Sequence, residues 1–210
     1  MAIVVVGGHT RNIGKTSVVA GIIAALPQYN WTAFKITQYG HGLCSANGEA
    51  CACETASHAA AITEERETAS GTDSARFLQA GAQKSFWVRT RQGYLAEAMP
   101  HIHKELALAE NAILESNSIL RFLQPTLYLS VLSYAVADFK PSAQYFLDRA
   151  NALVLTSAAT ESTPAWPAKL LHVVRDRPVF GVHPPSFFSA ELTQFLVERL
   201  AAARAPGAEK

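Results

Sequence analysis

Gly7-Gly8-His9-Thr10-Arg11-Asn12-Ile13-Gly14-Lys15-Thr16-Ser17 is the stretch on which the reading of this chain turns. The apolar run Ala2-Ile3-Val4-Val5-Val6 precedes it, and Val18-Val19-Ala20-Gly21-Ile22-Ile23 follows. That order predicts a strand, a glycine-bearing loop and a helix. Gly14-Lys15-Thr16 is the core of a Walker A phosphate loop. The chemistry needs this build, because successive backbone N–H groups must turn toward a phosphate and a side chain at Gly14 would obstruct it. The helix N-terminus adds donors and the positive end of a dipole. Gly8, Asn12, Ile13, Gly14, Lys15, Thr16 and Ser17 are therefore the expected nucleotide-binding residues. Lys15 would reach the β and γ phosphates, and the Thr16 hydroxyl would hold Mg²⁺. One position departs from the common pattern. The first glycine should lie five residues before the second, and His9 stands there. A different entry turn is expected.

Composition bounds the rest. The chain has 210 residues, enough for a single α/β domain with a sizeable core. Its 18 basic and 17 acidic residues nearly cancel, so no basic excess points to nucleic acid or a membrane surface. No run reaches transmembrane length, and residues 2–6 are too short for a signal segment. A cytoplasmic location is expected, with the three cysteines as thiols or metal ligands.

The first helix is predicted from about Thr16 to Leu26, stopped by Pro27. Trp31–Thr37 reads as the second strand, which completes a right-handed βαβ unit. Residues 38–72 differ in kind, being rich in small and polar residues and poor in aliphatic ones. They read as a long loop insertion. Cys44, Cys51 and Cys53 stand within it, with His41 and His58 nearby. Three thiolates and an imidazole suit tetrahedral zinc, with His41 slightly preferred as the fourth ligand. The spacing is not that of a C-x₂-C knuckle, and a thiol-rich active-site loop without metal is the other reading.

Ser70-Gly71-Thr72-Asp73-Ser74-Ala75-Arg76 leads through Ala80-Gly81-Ala82 to a strand at Ser85–Arg89. Thr72 or Asp73 would cap a short helix, and Gly81 would end it. This segment resembles the MobB family, P-loop proteins associated with adding a guanine nucleotide to molybdopterin. Phe34-Lys35-Ile36-Thr37, with His41 shortly after, is similar to the family's Lys-x-Thr strand end. The resemblance covers roughly the first 120 residues. It implies a P-loop NTPase of cofactor biosynthesis binding GTP or ATP, an unidentified acceptor molecule and a homodimer. The His9 loop, the cysteine segment and the C-terminal third depart from it.

Read physically, Lys35, Asp73 and Arg76 are charges near the carboxyl ends of strands, where open parallel sheets bind ligands. Arg76 would grip an anion with its planar fork, or else pair with Asp73 on one helix face. A helix is predicted over Gln92–Glu110, kinked or starting late because of Pro100. Asn111–Ser118 then reads as a buried strand whose apolar run closes on an acid, Glu115, where a Walker B carboxylate belongs. Glu115 would hold Mg²⁺ with Thr16, and Lys15 and Glu115 would carry catalysis. Strands at Leu127–Leu132, Ala152–Ser157 and Pro178–Val182 and a terminal helix capped by Ser189 complete the pattern. Thr156-Ser157-Ala158-Ala159 stands where guanine-reading GTPases carry Asn-Lys-x-Asp.

The expected architecture is α/β: a mostly parallel, doubly wound P-loop NTPase sheet of about seven strands with helices on both faces. One domain would span residues 1–204, with a frayed tail at 205–210. Two alternatives stand beside the NTPase: an ATP-dependent kinase or ligase of the dethiobiotin-synthetase kind, and a non-enzymatic metal-binding partner built on the cysteine loop.

Overall fold

Short, near-continuous apolar runs rich in β-branched residues make strands that are buried on both faces, since successive side chains point to opposite sides. The computed structural model describes residues 1–39, 60–156 and 163–203 and shows how such runs assemble. Eight strands form one sheet among the described residues. They are β1 (Ala2–Gly8), β2 (Trp31–Tyr39), β3 (Ala60–Glu65), β4 (Lys84–Arg91), β5 (Asn111–Glu115), β6 (Leu127–Leu132), β7 (Ala152–Leu155) and β8 (Val179–Gly181). Their spatial order is β3-β4-β2-β5-β1-β6-β7-β8. All pairings are parallel except that of β3 with β4.

Among the described residues six α-helices cover the faces: α1 (Lys15–Ala25), α2 (Asp73–Gln79), α3 (Leu95–Leu108), α4 (Pro141–Phe146), α5 (Leu171–Val174) and α6 (Ala190–Ala202). The pleat sorts β1 cleanly. Val4 and Val6 face a core shared with Val18, Ile22 and Ile23 of α1 and Leu192, Leu196 and Leu200 of α6. Val5 faces the opposite core, with Leu95, Met99, Ile102 and Leu106 of α3. Each fully buried aliphatic side chain contributes about 1.5–3 kcal/mol. No helix among the described residues is long and apolar enough to cross a membrane.

The expected doubly wound sheet is present, with eight strands rather than seven. The additional strand is β3, which lies inside the segment read as a loop over 38–72. It is an edge strand, and Ala60-Ala61-Ile62-Thr63-Glu64-Glu65 lacks the apolar run that a central strand requires. Glu65 anchors it to α2, because its carboxylate accepts from Thr72 (2.7 Å), Ser74 (3.1 Å) and Ser70 (3.1 Å). Burial opposes ionisation, but these donors prevail and hold the Glu65 carboxyl below its ordinary range. Thr72 is the cap of α2, accepting from the Ala75 amide at 3.1 Å. Helix α3 starts at Leu95 rather than Gln92 and carries Pro100 inside it.

Gly7 marks where β1 must be approached most closely. A Cβ added there would lie 2.1 Å from Asn117 Oδ1 and 2.9 Å from the Tyr128 ring. Gly7→Ala should therefore destabilise the fold by ~1–3 kcal/mol through overpacking. Urea denaturation checks this. An unshifted midpoint would mean that Asn117 and Tyr128 yield without cost.

Candidate functional site

The strand ends β1 and β5 and the start of α1 meet at one point. Gly14 stands at the N-terminus of α1 with φ +88°, and Asn12 has φ +55°. These left-handed residues coil the chain between strand and helix, and Gly14 adopts its angle without the Cβ strain of other residues. The Lys15 ammonium turns back onto the Thr10 carbonyl. Burial lowers the Lys15 pKa, although the Glu115 carboxylate works against that shift. His9 is the first residue beyond β1. Its amide donates to the Val131 carbonyl of β6 at 3.1 Å. The ring is fully buried against Phe139 and Trp166. Desolvation lowers its pKa.

Beside this loop lies a tight polar cluster. The Thr16 hydroxyl donates to Glu115 Oε2 at 2.8 Å. Lys35 Nζ stands 2.7 Å from Glu115 Oε1, 2.6 Å from Asp73 Oδ2 and 3.2 Å from Thr16 Oγ1. Glu115 is only 3% exposed, so its charge relies on these partners. Burial disfavours the Lys35 ammonium, but Glu115 and then Asp73 outweigh it and raise its pKa. Lys35 lies in the interior of β2, which runs on to Tyr39, yet it pairs in register with Glu115, the last residue of β5.

Arg76 follows the second of its sequence readings, the pairing with Asp73 on one helix face. It donates to the Ser17 hydroxyl at 2.9 Å and stands 3.9 Å from Asp73. Thus Thr16, Ser17, Lys35, Asp73, Arg76 and Glu115 come together next to Lys15. The Ile13 carbonyl accepts from the Thr156 hydroxyl at 2.8 Å. Gly8 is gripped by Asn117, whose amide group accepts from the Gly8 N–H at 2.9 Å and donates to its carbonyl at 2.9 Å. His41, Cys44, Cys51, Cys53 and His58 lie outside the described residues.

Sequence reasoning did not single out Asn117, Thr156, Asp138 or Lys140. Asp138 accepts the Thr10 hydroxyl, and the Lys140 amide donates to the His9 carbonyl at 2.8 Å. These are long-range contacts of loop residues. Only Asn117, two positions beyond Glu115, carried a local signal.

Thr16 and Glu115 fit Mg²⁺. They are hard oxygen donors, and the carboxylate already binds a cation in the form of Lys35. Mg²⁺ commonly takes one or two carboxylates and completes its shell with water and substrate phosphates. Such a site therefore does not need the three clustered His, Cys, Asp or Glu side chains that are absent among the described residues.

A solved structure shares this architecture. The chain aligns with HypB from Helicobacter pylori, in complex with nickel, at TM-score 0.53 and 12% identity, over 100% of this chain and 92% of that one. This chain has the P-loop NTPase fold. The "apo" form of LpxK from Aquifex aeolicus, in complex with ATP, aligns more loosely, at TM-score 0.47 and 18% identity over 86% of this chain and 53% of that one. A ParA family ATPase from Chlorobium tepidum TLS aligns at TM-score 0.37 and 13% identity, over 99% and 93%. No family model matches the chain, and no curated protein matches it.

The cluster makes a stability prediction. Lys35→Met leaves Glu115 buried without its closest cation and should cost roughly 3–5 kcal/mol. Adding Glu115→Gln should recover much of that loss, since the orphaned charge is then gone. A double-mutant cycle in urea measures the coupling. Additive losses would show that Lys35 does not neutralise Glu115.

Proposed function

We propose that this chain is a Mg²⁺-dependent P-loop protein that binds and hydrolyses GTP or ATP. The observation that supports this best is the buried Glu115 carboxylate on the Thr16 hydroxyl, one residue from Lys15. A carboxylate at the end of an apolar strand is costly unless it holds a cation. In this reading Lys15 and the loop amides bind the phosphates, while Thr16 and Glu115 hold the metal. When bound, Mg²⁺ supplies charge neutralisation to the phosphates. Asp73 keeps Lys35 within the site by its own 2.6 Å contact. Arg76, fixed between Ser17 and Asp73, offers its remaining N–H donors to an anion.

The biological setting is cofactor assembly of the MobB kind. This finer step rests on the Lys35-Ile36-Thr37 and Gly71-Thr72-Asp73-Ser74-Ala75-Arg76 motifs. A kinase or ligase of the dethiobiotin-synthetase kind would use the same loop and differ in its product. Release of inorganic phosphate from Mg·GTP or Mg·ATP without a second substrate supports the NTPase. Strict dependence on an acceptor supports the alternative.

Lys15→Ala should weaken binding of both triphosphates by about tenfold or more, since it removes a charge-assisted contact. Calorimetric titration measures this, and undiminished affinity in a folded variant would overturn the phosphate-site assignment. Glu115→Gln should lower turnover more than nucleotide affinity, because the metal acts on charge that develops during reaction. Single-turnover phosphate release against titrated affinity separates the two effects.

A further inference from the structure

The phosphate loop is held from a side that neither its own strand nor its own helix supplies. The segment after β6 contacts it three times. His9 Nε2 meets the Val136 carbonyl at 3.2 Å, Asp138 accepts the Thr10 hydroxyl, and the Lys140 amide donates to the His9 carbonyl at 2.8 Å. These contacts fix residues 136–140 against residues 9 and 10. Lys140 is thereby carried to the phosphate loop, within electrostatic range of Lys15, Arg11 and Lys35. Its side chain is half-buried, and its ammonium makes no hydrogen bond or ion pair among the described residues.

The neighbouring charges are already committed. Lys15 rests on the Thr10 carbonyl, and Lys35 is taken up by Glu115 and Asp73. Asp138, the acid nearest to Lys140 in sequence, accepts from Thr10. A cation brought among other cations without a counter-charge of its own is what an anion site requires before its anion arrives.

The geometry points to Lys140 as a second phosphate-binding cation, supplied by the loop after β6 and acting on the polyphosphate of the nucleoside triphosphate that Lys15 binds. This rests on the nucleotide-binding reading above. The chemistry agrees. Burial first, and then repulsion by Lys15 and Arg11, lower the Lys140 pKa to about 8, with Asp138 opposing. Bound phosphate would offset that repulsion and favour the charged form. Recognition is of charge alone, so the base should not matter. Arginine at this position keeps its charge well above the range in which lysine loses it.

Titration calorimetry with Mg·ATP, Mg·GTP and inorganic tripolyphosphate tests the assignment at neutral pH. Lys140→Ala should lose about tenfold in affinity for all three, and Lys140→Arg should restore most of it. The sign of the pH effect follows from the protonated form being the binder. Affinity of the parent protein should fall as pH rises through about 8. It should fall less in Lys140→Arg, which keeps the titrations of Lys15 and Lys35 but removes that of residue 140. This comparison holds even if Lys140→Ala folds poorly. If the parent protein binds none of the probes, the nucleotide reading fails and this one with it. If the parent binds and Lys140→Ala binds equally well, only Lys140 is displaced. Unequal losses for ATP and GTP would mean a contact to the base and would also overturn the proposal.

Discussion

The buried negative charge of Glu115 organises this molecule. It sits at the end of β5, paired with β1 on one side and β2 on the other, and almost no water reaches it. A carboxylate in that position must find a hydroxyl and a cation or else neutralise itself. Thr16 supplies the first at 2.8 Å and Lys35 the second at 2.7 Å. Both come from elements that the βαβ unit brings to β5: the start of α1 and the middle of β2. The sheet order and the site are therefore one constraint. Removing β5 from between β1 and β2 would separate Glu115 from both partners at once.

The same pairing limits how the proposed metal can bind. An ammonium and a dication repel strongly when they share oxygen ligands in a medium of low dielectric constant. Lys35 has a second partner in Asp73, at 2.6 Å and partly exposed at the start of α2. That contact offers the ammonium a place to remain when Glu115 and Thr16 turn to another cation. Asp73 is in turn positioned by the Thr72 cap and by the Glu65 carboxylate of β3. An edge strand of unremarkable sequence thus helps to set where the Lys35 charge can rest.

Much of this was legible from local pattern. The order of strand, glycine-bearing loop and helix was legible within a dozen residues, because Gly14 stands where the chain turns with positive φ between β1 and α1. Glu115 was legible because an acid closing an apolar strand is conspicuous. Strand β3 was not, since an edge strand need not be apolar and its neighbours in sequence are small and polar. His9 misled for a related reason. The common pattern places a glycine there, but the residue ties its amide to β6 and buries its ring against Phe139 and Trp166. Lys140 and Asp138 were illegible because their meaning depends on contacts more than 120 positions away.

Two devices from opposite directions keep the loop in shape. Asn117, just beyond β5, holds the Gly8 peptide by both its N–H and its carbonyl. The segment after β6 holds His9 and Thr10. In the proposed function the loop would present its amides to a phosphate, and such bracing would help, since groups already oriented lose no freedom when a ligand binds. The glycine that the common pattern places at position 9 would give freedom to the backbone at the point where this protein restrains it. The buried ring there acts as a plug between β1 and the segment that carries Lys140. The departure from the motif and the additional cation are thus two consequences of the same packing.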